Sequence, residues 1–392
     1  MGALDGITVV SLEQAVAAPF ASRHLADLGA RVIKIERPQT GDFAREYDET
    51  VRGMSASFVW LNRSKESFTL NLKHPQSHEI MMRLIARADV FVQNLAPGAS
   101  ARLGLSAEVL LARFPRLVVC DISGYGDTGP YRNKKAYDLL IQGEAGLISI
   151  TGNPEGPAKT GISIADICAG MYAYSGILAA LLQRQITGKG ARIEVSMFEG
   201  LCEWMMFPLY YANLGGIPYR RSGSHHAAIV PYGPYRTRDG KTVMLGVQNE
   251  REWITFCEVV LKRADLISDP RFNSNSHRVS NREMLGTIID QVIATLDCKE
   301  LSYLLDASGI ANSQLNDLND VWNHPQLSAR DRWRSFDSPV GQLPGLVRPG
   351  MPGDEEPRFD PVPALGAHVD AVLTELGYPR SEMEQLRDAH VV

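Results

Sequence analysis

The amino-acid sequence predicts an α/β protein. We expect a large first domain with a doubly wound, mostly parallel sheet, followed by a smaller α+β domain. Between residues 7 and 122, short β-branched runs alternate with helical patterns, as βαβ units do. One long apolar helix pattern begins near Asp166. A hairpin signal at Asp239-Gly240 follows a boundary loop rich in Gly, Pro, Ser and His, and Asp-Gly is a favoured hairpin turn.

Hydrophobic period and bounding residues predict each element of the first part. β-Branched apolar runs indicate strands, and apolar residues recurring every three to four positions indicate helices. Pro19 and Gly29 stand where proline and glycine favour helix ends. The predicted strands are 7–12, 31–35, 67–72, 89–92 and 117–122, with helices at 19–29, 79–88 and 107–114. Strands joined in this way form an open, Rossmann-like sheet.

The remaining patterns indicate a second domain and a returning tail. The predicted elements are helices 166–185, 198–211, 250–261, 281–296, 299–305 and 369–376, strand 191–195, boundary loop 215–233 and an extended stretch 338–363. We therefore expect a large domain over 1–215 and a small domain over 216–330. A C-terminal segment, 331–392, should return to the large domain, because its last helix is apolar on one face.

Composition and charge exclude several classes of function. The net charge of −5 and pI of about 6.0 give no bulk attraction to nucleic acid or to anionic membranes. We predict neither as a partner. No secretory signal or membrane span is expected from the hydropathy pattern. The five cysteines are scattered and never spaced CxxC, which favours a reducing cytoplasm and argues against a zinc site.

Asp166 is the principal candidate for chemistry. It stands at the predicted start of the long helix, and one interpretation is that it only caps that helix. The other is that the helix N-terminus keeps its carboxylate ionised as a nucleophile, with the small residues Ala165, Ala169 and Gly170 leaving room for a bulky ligand. The residues alone leave both interpretations open.

Cations follow several predicted strands. Lys34 and Arg37 close the second strand, Lys73 follows the third, and Arg102 lies beyond the fourth. Carboxyl ends of parallel strands are where open α/β sheets bind ligands, although any single loop cation is commonly just solvated. The glycine patterns GxGxxG and GxxxxGK[ST] are missing, so a common dinucleotide or P-loop site is not expected.

His225 and His226 are adjacent in the boundary loop, with no carboxylate at metal-ligand spacing. We predict no metal site there. The pair indicates either a loop close to a ligand or a polar linker. Tyr137-Asp138 precedes another helix pattern, where Asp138 is the expected cap.

Six segments together resemble the class III coenzyme A transferases (the CaiB/BaiF type). They occur in family order along most of the chain: LADLGARVIKIERPQTGD, NRSKESFTLNLKHPQ, ADVFVQNLAPGASARLGL, KKAYDLLIQGEAGL, ISIADICAGMYAYSGILAALLQRQITGKGARIEVSMFEGL and LGAHVDAVLTELGY. The resemblance implies an interlocked homodimer with coenzyme A and acyl-CoA as substrates and no permanently bound cofactor. It places Asp166 at the catalytic aspartate, acting through aspartyl anhydride and aspartyl-CoA thioester intermediates.

The resemblance also implies a set of coenzyme A contacts. Carried over position by position, they are Arg37, Leu70, Lys73, Asn94, Leu95, Arg102, Leu103, Lys135 and Tyr137. Lysine and arginine suit the pyrophosphate and 3′-phosphate of the ligand. Related racemases carry histidine where Tyr137 stands, and tyrosine is a poor base at neutral pH, so transfer is favoured over 2-methylacyl-CoA racemisation.

The predicted substrates are an acyl-CoA donor, such as succinyl-CoA, and a carboxylic acid acceptor. Val16 replaces the glutamine of the formyl-CoA transferases, and the loop at 222–226 lacks their glycine run. The expectation is therefore a C4–C5 dicarboxylate such as itaconate, mesaconate or citramalate, with Arg221, His225 and His226 as candidate contacts. A catalytically silent acyl-CoA-binding protein is a third alternative, which the presence of Asp166 disfavours.

Overall fold

The computed structural model describes residues 2–216, 218–351 and 356–392. The boundary-loop prediction at Ile217 and the extended-stretch prediction at 352–355 lie outside the described residues. In chain order the strands are β1 Thr8–Leu12, β2 Arg31–Glu36, β3 Lys65–Thr69, β4 Val90–Gln93, β5 Val118–Ser123, β6 Gly152–Asn153, β7 Gly156–Pro157, β8 Arg192–Ser196, β9 Tyr232–Arg236, β10 Thr242–Gly246, β11 Ala311–Gln314, β12 Trp333–Phe336 and β13 Leu343–Leu346.

The helices alternate with these strands in the first part and predominate later. They are α1 Ala17–Asp27, α2 Ala56–Asn62, α3 Ser77–Ile85, α4 Ala99–Arg102, α5 Ala107–Arg113, α6 Asp138–Glu144, α7 Leu147–Ile150, α8 Ile164–Thr187, α9 Met197–Trp204, α10 Met206–Asn213, α11 Glu250–Thr255, α12 Asp265–Ser268, α13 Asn275–Ser280, α14 Arg282–Ile293, α15 Cys298–Ala307, α16 Leu318–Trp322, α17 Pro325–Ala329, α18 Val369–Glu375 and α19 Arg380–Asp388. A 3₁₀ turn covers Phe43–Glu46, and a π-helical turn covers Phe256–Val260.

The predicted doubly wound sheet is confirmed. Its strand order is β3-β2-β1-β4-β5-β8, and every neighbouring pair is parallel. The chain winds in one direction from β1 to β3 and in the other from β4 onward. The crevice where the order reverses, at the carboxyl ends of β1 and β4, is where such sheets bind ligands.

The chain divides into two compact units. Unit 1 comprises Met1–Ala145, Thr160–Met206 and Gln326–Val392, and unit 2 comprises Gly146–Lys159 and Phe207–Pro325. The inclusion of residues 146–159 in unit 2 has no counterpart in the sequence patterns. The β6–β7 hairpin spans only four residues in two strands, too few for a hydrophobic period to emerge.

Unit 1 is built around the parallel sheet. Strand residues such as Val10 and Phe91 are fully buried, as expected for parallel strands covered on both faces. Val372 and Leu373 of α18 belong to the same core cluster, so this helix packs into the core of unit 1. α8 is long and apolar enough to cross a membrane, but half of it is buried within the protein, as in a core helix.

Unit 2 contains an antiparallel sheet in the order β11-β10-β9. The predicted hairpin at Asp239-Gly240 joins β9 to β10, and Gly240 has the positive φ of 79° that this turn requires. Trp253, Phe256 and Phe272 are fully buried beneath it, giving this unit its own core.

Several predicted elements differ from the structure. The single helix expected over 198–211 is two helices, α9 and α10, and Pro208 lies in the first turn of the second. Proline has no N–H to continue a helix, and a first turn tolerates it. The stretch predicted to be extended contains the β13 strand of a β12–β13 hairpin, and α19 was not predicted.

Candidate active site

The loop after β1 is held in place at the sheet crevice. The amide N–H of Gln14 donates to Asn94 Oδ1 (2.8 Å), and Asn94 Nδ2 donates back to the Gln14 carbonyl (2.9 Å). Ala15 adopts φ 61°, and its N–H donates to Asp42 Oδ1 (3.1 Å). Residues with a Cβ rarely adopt this left-handed conformation, and such strain concentrates at functional sites. Asn94 therefore braces the loop that forms one wall of the crevice.

A buried ionic network supports this loop. Lys34 Nζ lies 2.8 Å from Asp42 and 3.2 Å from Glu13, and Lys65 Nζ lies 2.7 Å from Glu13. Burial alone would raise the pKa of Glu13, but the two lysines lower it to about 2. The sequence left Lys34 as either a ligand-binding cation at a strand end or a solvated loop charge. Both interpretations are wrong, because its side chain is fully buried and already paired.

A cavity of about 680 Å³ opens at the carboxyl ends of the strands in unit 1, a size typical of ligand sites. Six predicted coenzyme A contacts line it: Arg37, Leu70, Lys73, Leu95, Arg102 and Leu103. The leucines form an apolar floor, and the three cations are exposed. The cavity thus combines an apolar slot with anion-binding side chains.

The C-terminal segment forms part of the same cavity, through a residue that the sequence analysis missed. His390 lines the cavity and has φ 55°. The segment is tied down because Asn71 N–H donates to the Val391 carbonyl (2.8 Å) and the Val391 side chain is fully buried. No local pattern signals this contact, since hundreds of residues separate its two sides.

Asp166 is the third residue of α8 and lies in its first turn. The N-cap position is Ser163, whose side chain makes no capping bond. Asp138 performs the capping instead: its Oδ1 accepts from the N–H of Ala165 (2.8 Å) and, at 3.3 Å, from the N–H of Asp166. The interpretation of Asp166 as the helix cap is therefore wrong, and Asp138 caps α8 rather than its own helix.

The ionisation of Asp166 also differs from expectation. Burial, and secondarily the Asp138 carboxylate, raises the pKa of Asp166 to about 7. Among the described residues, no hydrogen-bond donor reaches its carboxylate. The helix N-terminus therefore does not hold the pKa of Asp166 low, as the sequence had suggested, because burial and like-charge repulsion outweigh the helix dipole.

The small residues of α8 serve helix packing. Ala165 and Ala169 are fully buried, and a Cβ at Gly170 would lie 2.7 Å from the Ala17 carbonyl oxygen of α1. Gly170 lets α1 approach α8 closely, and the fully buried Ala165 and Ala169 face no open space, so these residues do not leave room for a ligand, which corrects the prediction. Their effect is to hold the Asp166 end of α8 against α1.

Two tyrosines stand near Asp166. Tyr137 is the N-cap of α6 and is 66% exposed. Tyr47, which the sequence analysis did not select, has its pKa raised to about 12 by burial and by Asp42, Asp166 and Tyr137. Tyr47 is thus within electrostatic range of both Asp166 and Asp42 beneath the β1 loop. No sequence signal marks Tyr47.

Two further predicted residues of unit 1 lie apart from the cavity lining. Lys135 is exposed in the segment before α6. Val16 is only 7% exposed and packs with Phe20, Leu61 and Ile167. Val16 therefore contributes an apolar contact beside the residue that follows Asp166, and it presents little surface of its own.

The predicted substrate contacts of the boundary loop lie together in unit 2. A cavity of about 1470 Å³ there is lined by Arg221, His225 and His226. Arg221 donates to the carbonyls of Ser149, Asn153 and Pro154, so its guanidinium holds the β6–β7 hairpin.

Close packing positions the two histidines. A Cβ at position 233 would lie 2.2 Å from His225 Nδ1, so only glycine fits there. The His226 ring stacks on Tyr232 with centroids 5.3 Å apart. Burial, followed by the Arg282 charge, lowers the pKa of both histidines. Neutral imidazoles can accept or donate a hydrogen bond to a ligand.

Comparison with known proteins places these features in a family context. Residues 4–369 match the family described as CoA-transferase family III. The chain is 34% identical over 399 residues to the succinyl-CoA:glutarate CoA-transferase of Mus musculus, covering 100% of this chain and 91% of that protein. It is 32% identical over 388 residues to the acetyl-CoA:oxalate CoA-transferase of Acetobacter aceti, covering 97% of each. The crystal structure of a CAIB/BAIF family protein from Brucella suis is 33% identical, with a TM-score of 0.82 and coverage of 96% and 99%.

Proposed function

The chain belongs to CoA-transferase family III, and on that premise we propose that it transfers coenzyme A from succinyl-CoA to a C4–C5 dicarboxylic acid with Asp166 as the nucleophile. Itaconate, mesaconate and citramalate are the proposed acceptors. The Mus musculus relative is named for succinyl-CoA and glutarate, a C5 dicarboxylate, which supports this substrate class.

The single observation that supports the nucleophile proposal is the environment of the Asp166 carboxylate. Its carboxylate is partly buried, receives no hydrogen bond from the described residues and has a pKa near 7. A carboxylate with few solvating partners is more reactive toward an acyl carbon than a fully hydrated one. A residue that only capped the helix would instead accept bonds from the first-turn amides, and Asp138 does that here.

The reaction would proceed through two kinds of covalent intermediate. The Asp166 carboxylate attacks the donor thioester carbon, forming a mixed anhydride and releasing the coenzyme A thiolate. The thiolate attacks the aspartyl carbon of the anhydride, giving an aspartyl-CoA thioester and the free donor acid. The acceptor carboxylate then displaces the thiolate to form a second anhydride. Attack of the thiolate on the acceptor's acyl carbon releases acceptor-CoA and restores Asp166.

The cavity of unit 1 is the proposed coenzyme A site. Leu70, Leu95 and Leu103 would contact the adenine, and Arg37, Lys73 and Arg102 would pair with the phosphates. Asn94 would act through the β1 loop that it braces. Lys135 and Tyr137 are proposed to contact the pantetheine arm near Asp166. The proposed roles of Val16, Arg221, His225 and His226 toward the acceptor remain predictions.

The proposal is tested by incubating the enzyme with succinyl-CoA and a panel of acids, with mass detection of new thioesters. The panel contains itaconate, mesaconate, citramalate, glutarate, malate and oxalate. Asp166→Ala should abolish transfer, whereas Ser163→Ala, which changes an N-cap without a capping bond, is the matched control. Hydroxylamine should trap wild-type enzyme as an Asp166 hydroxamate. Undiminished transfer in Asp166→Ala would exclude the nucleophile proposal, and α-deuteration of a 2-methylacyl-CoA without transfer would indicate a racemase.

We also propose a homodimer. α6 and α8 of unit 1 expose several large apolar side chains, namely Leu139, Leu140, Met171, Tyr172, Leu182 and Ile186. Exposed apolar surface of this extent commonly marks a protein–protein interface. The proposed occupant is a second copy of the chain.

A further inference from the structure

The first turn of α8 depends on a carboxylate from another helix. Four N–H groups at a helix start have no partner within the helix. Ser163, at the N-cap, satisfies none of them with its side chain. Asp138, the first residue of α6, accepts from Ala165 and from Asp166 itself. The backbone that carries Asp166 is thus anchored to α6.

Asp138 is itself held in position by a second contact. Its Oδ2 accepts from Gln142 Nε2 (2.7 Å), one turn further along α6. Gln142 is fully buried, and its Oε1 accepts from the N–H of Thr160 (3.1 Å), in the segment that leads into α8. Asp138 and Gln142 therefore bind both the first turn of α8 and the chain that approaches it.

We propose that Asp138 is a positioning residue for transfer: through its bonds to the first turn of α8 it sets both the placement and the charge state of the Asp166 carboxylate. This inference rests on the proposed function. Among the described residues Asp138 forms no ion pair, so its negative charge acts on Asp166 without compensation. The other titratable groups near Asp166 are Tyr47 and Tyr137, and the charge of Asp42 contributes to the raised pKa of Tyr47.

Two substitutions separate the two effects. Asp138→Asn keeps an oxygen that can cap α8, since Asn caps helices about as well as Asp, but removes the charge. Asp138→Ala removes both. Glu144→Gln is the matched control, because it removes a negative charge from the same helix at a residue that pairs with Lys134 instead.

The measurement is the pH dependence of kcat and KM for transfer from succinyl-CoA. The nucleophile must be ionised, so activity falls as pH drops through the pKa of Asp166. Loss of the repelling charge lowers that pKa. In Asp138→Asn the acid limb of the kcat–pH profile should therefore move down by about one pH unit, with a plateau kcat within about threefold of wild type.

In Asp138→Ala kcat should fall on the order of 10²-fold, because small misplacement of a reacting group is costly, while KM for succinyl-CoA stays unchanged. Glu144→Gln should match wild type.

The outcomes distinguish this inference from the proposed function. Wild-type enzyme without transfer to any acid would reject the proposed function. Active wild-type enzyme with unshifted acid limbs and unchanged kcat in both Asp138 variants would overturn the positioning role. A lowered thermal midpoint with unchanged kinetics would also overturn it, since Asp138 would then serve only stability.

Discussion

At the scale of single residues, the burial of Asp166 opposes the ionisation that its proposed role as a nucleophile requires. Its site raises the carboxyl pKa from 3.8 to about 7, so ionising it costs folding free energy. The unfolded chain releases this proton near pH 4, whereas the folded chain retains it up to about pH 7. Stability is therefore lost progressively between these values and is lowest, for this group, above pH 7.

Asp166→Asn should consequently stabilise the protein while abolishing transfer. The gain should be small at pH 4, where the folded chain holds the proton and only about half of the unfolded chains have released it. It should reach a few kcal/mol at pH 8, because one pKa unit corresponds to about 1.4 kcal/mol. Thermal unfolding of both proteins at the two pH values measures the difference. An equal gain at pH 4 and pH 8 would contradict this explanation and indicate a packing effect.

At the scale of elements, the segment after α19 contributes to a cavity formed otherwise by loops that follow β1 to β4. His390 is held in the left-handed region, a conformation that costs a non-glycine residue about 1 kcal/mol. Strain of this kind persists where the surrounding contacts enforce it, and the buried Val391 and its bond to Asn71 supply those contacts. We infer that the imidazole contributes to ligand binding.

His390→Gly tests this contribution without disturbing the backbone, because glycine adopts positive φ freely. We expect the Kd for coenzyme A to rise roughly fivefold, equivalent to the loss of about 1 kcal/mol from one hydrogen bond. Calorimetry at pH 7 measures it, and His74→Gly, outside the cavity lining, is the control. An unchanged Kd for coenzyme A in His390→Gly would show that the imidazole does not contribute to ligand binding.

At the scale of the whole molecule, the exposed apolar faces of α6 and α8 predict self-association. Leu140 is 56% exposed on α6, so Leu140→Asp should leave a monomer folded but introduce a desolvated charge into a dimer interface. Light scattering after gel filtration should give a dimer for wild type and a monomer for this variant. Val109→Asp, on α5, is the control because its side chain is comparably exposed. A monomeric wild type would refute the dimer proposal.

The parallel sheet was predictable because its signal is local. Buried parallel strands must be apolar on both faces, so β1, β2, β4 and β5 stand out as β-branched runs. β3 was harder to place, because it begins at Lys65, a buried charge that interrupts the pattern. α9 and α10 merged in the prediction for a related reason, since both are apolar and the break between them falls at Met205, itself an apolar residue.

The sequence by itself determined the strand-helix alternation and the hairpin at Asp239-Gly240. The six segments that resemble class III coenzyme A transferases also identified Asp166 as the candidate nucleophile. These depend on period, turn chemistry and residue identity along a short stretch of chain. Only the tertiary structure decided which side chains act on Asp166. Asp138 accepts a hydrogen bond from the amide of Asp166, although the two residues are 28 positions apart in the sequence. Asn71 and its partner His390 are 319 positions apart. Such contacts form only when the chain folds and brings distant segments together. Burial where α6 meets the start of α8 raises the pKa of Asp166, whereas its position near a helix N-terminus would by itself favour a low pKa.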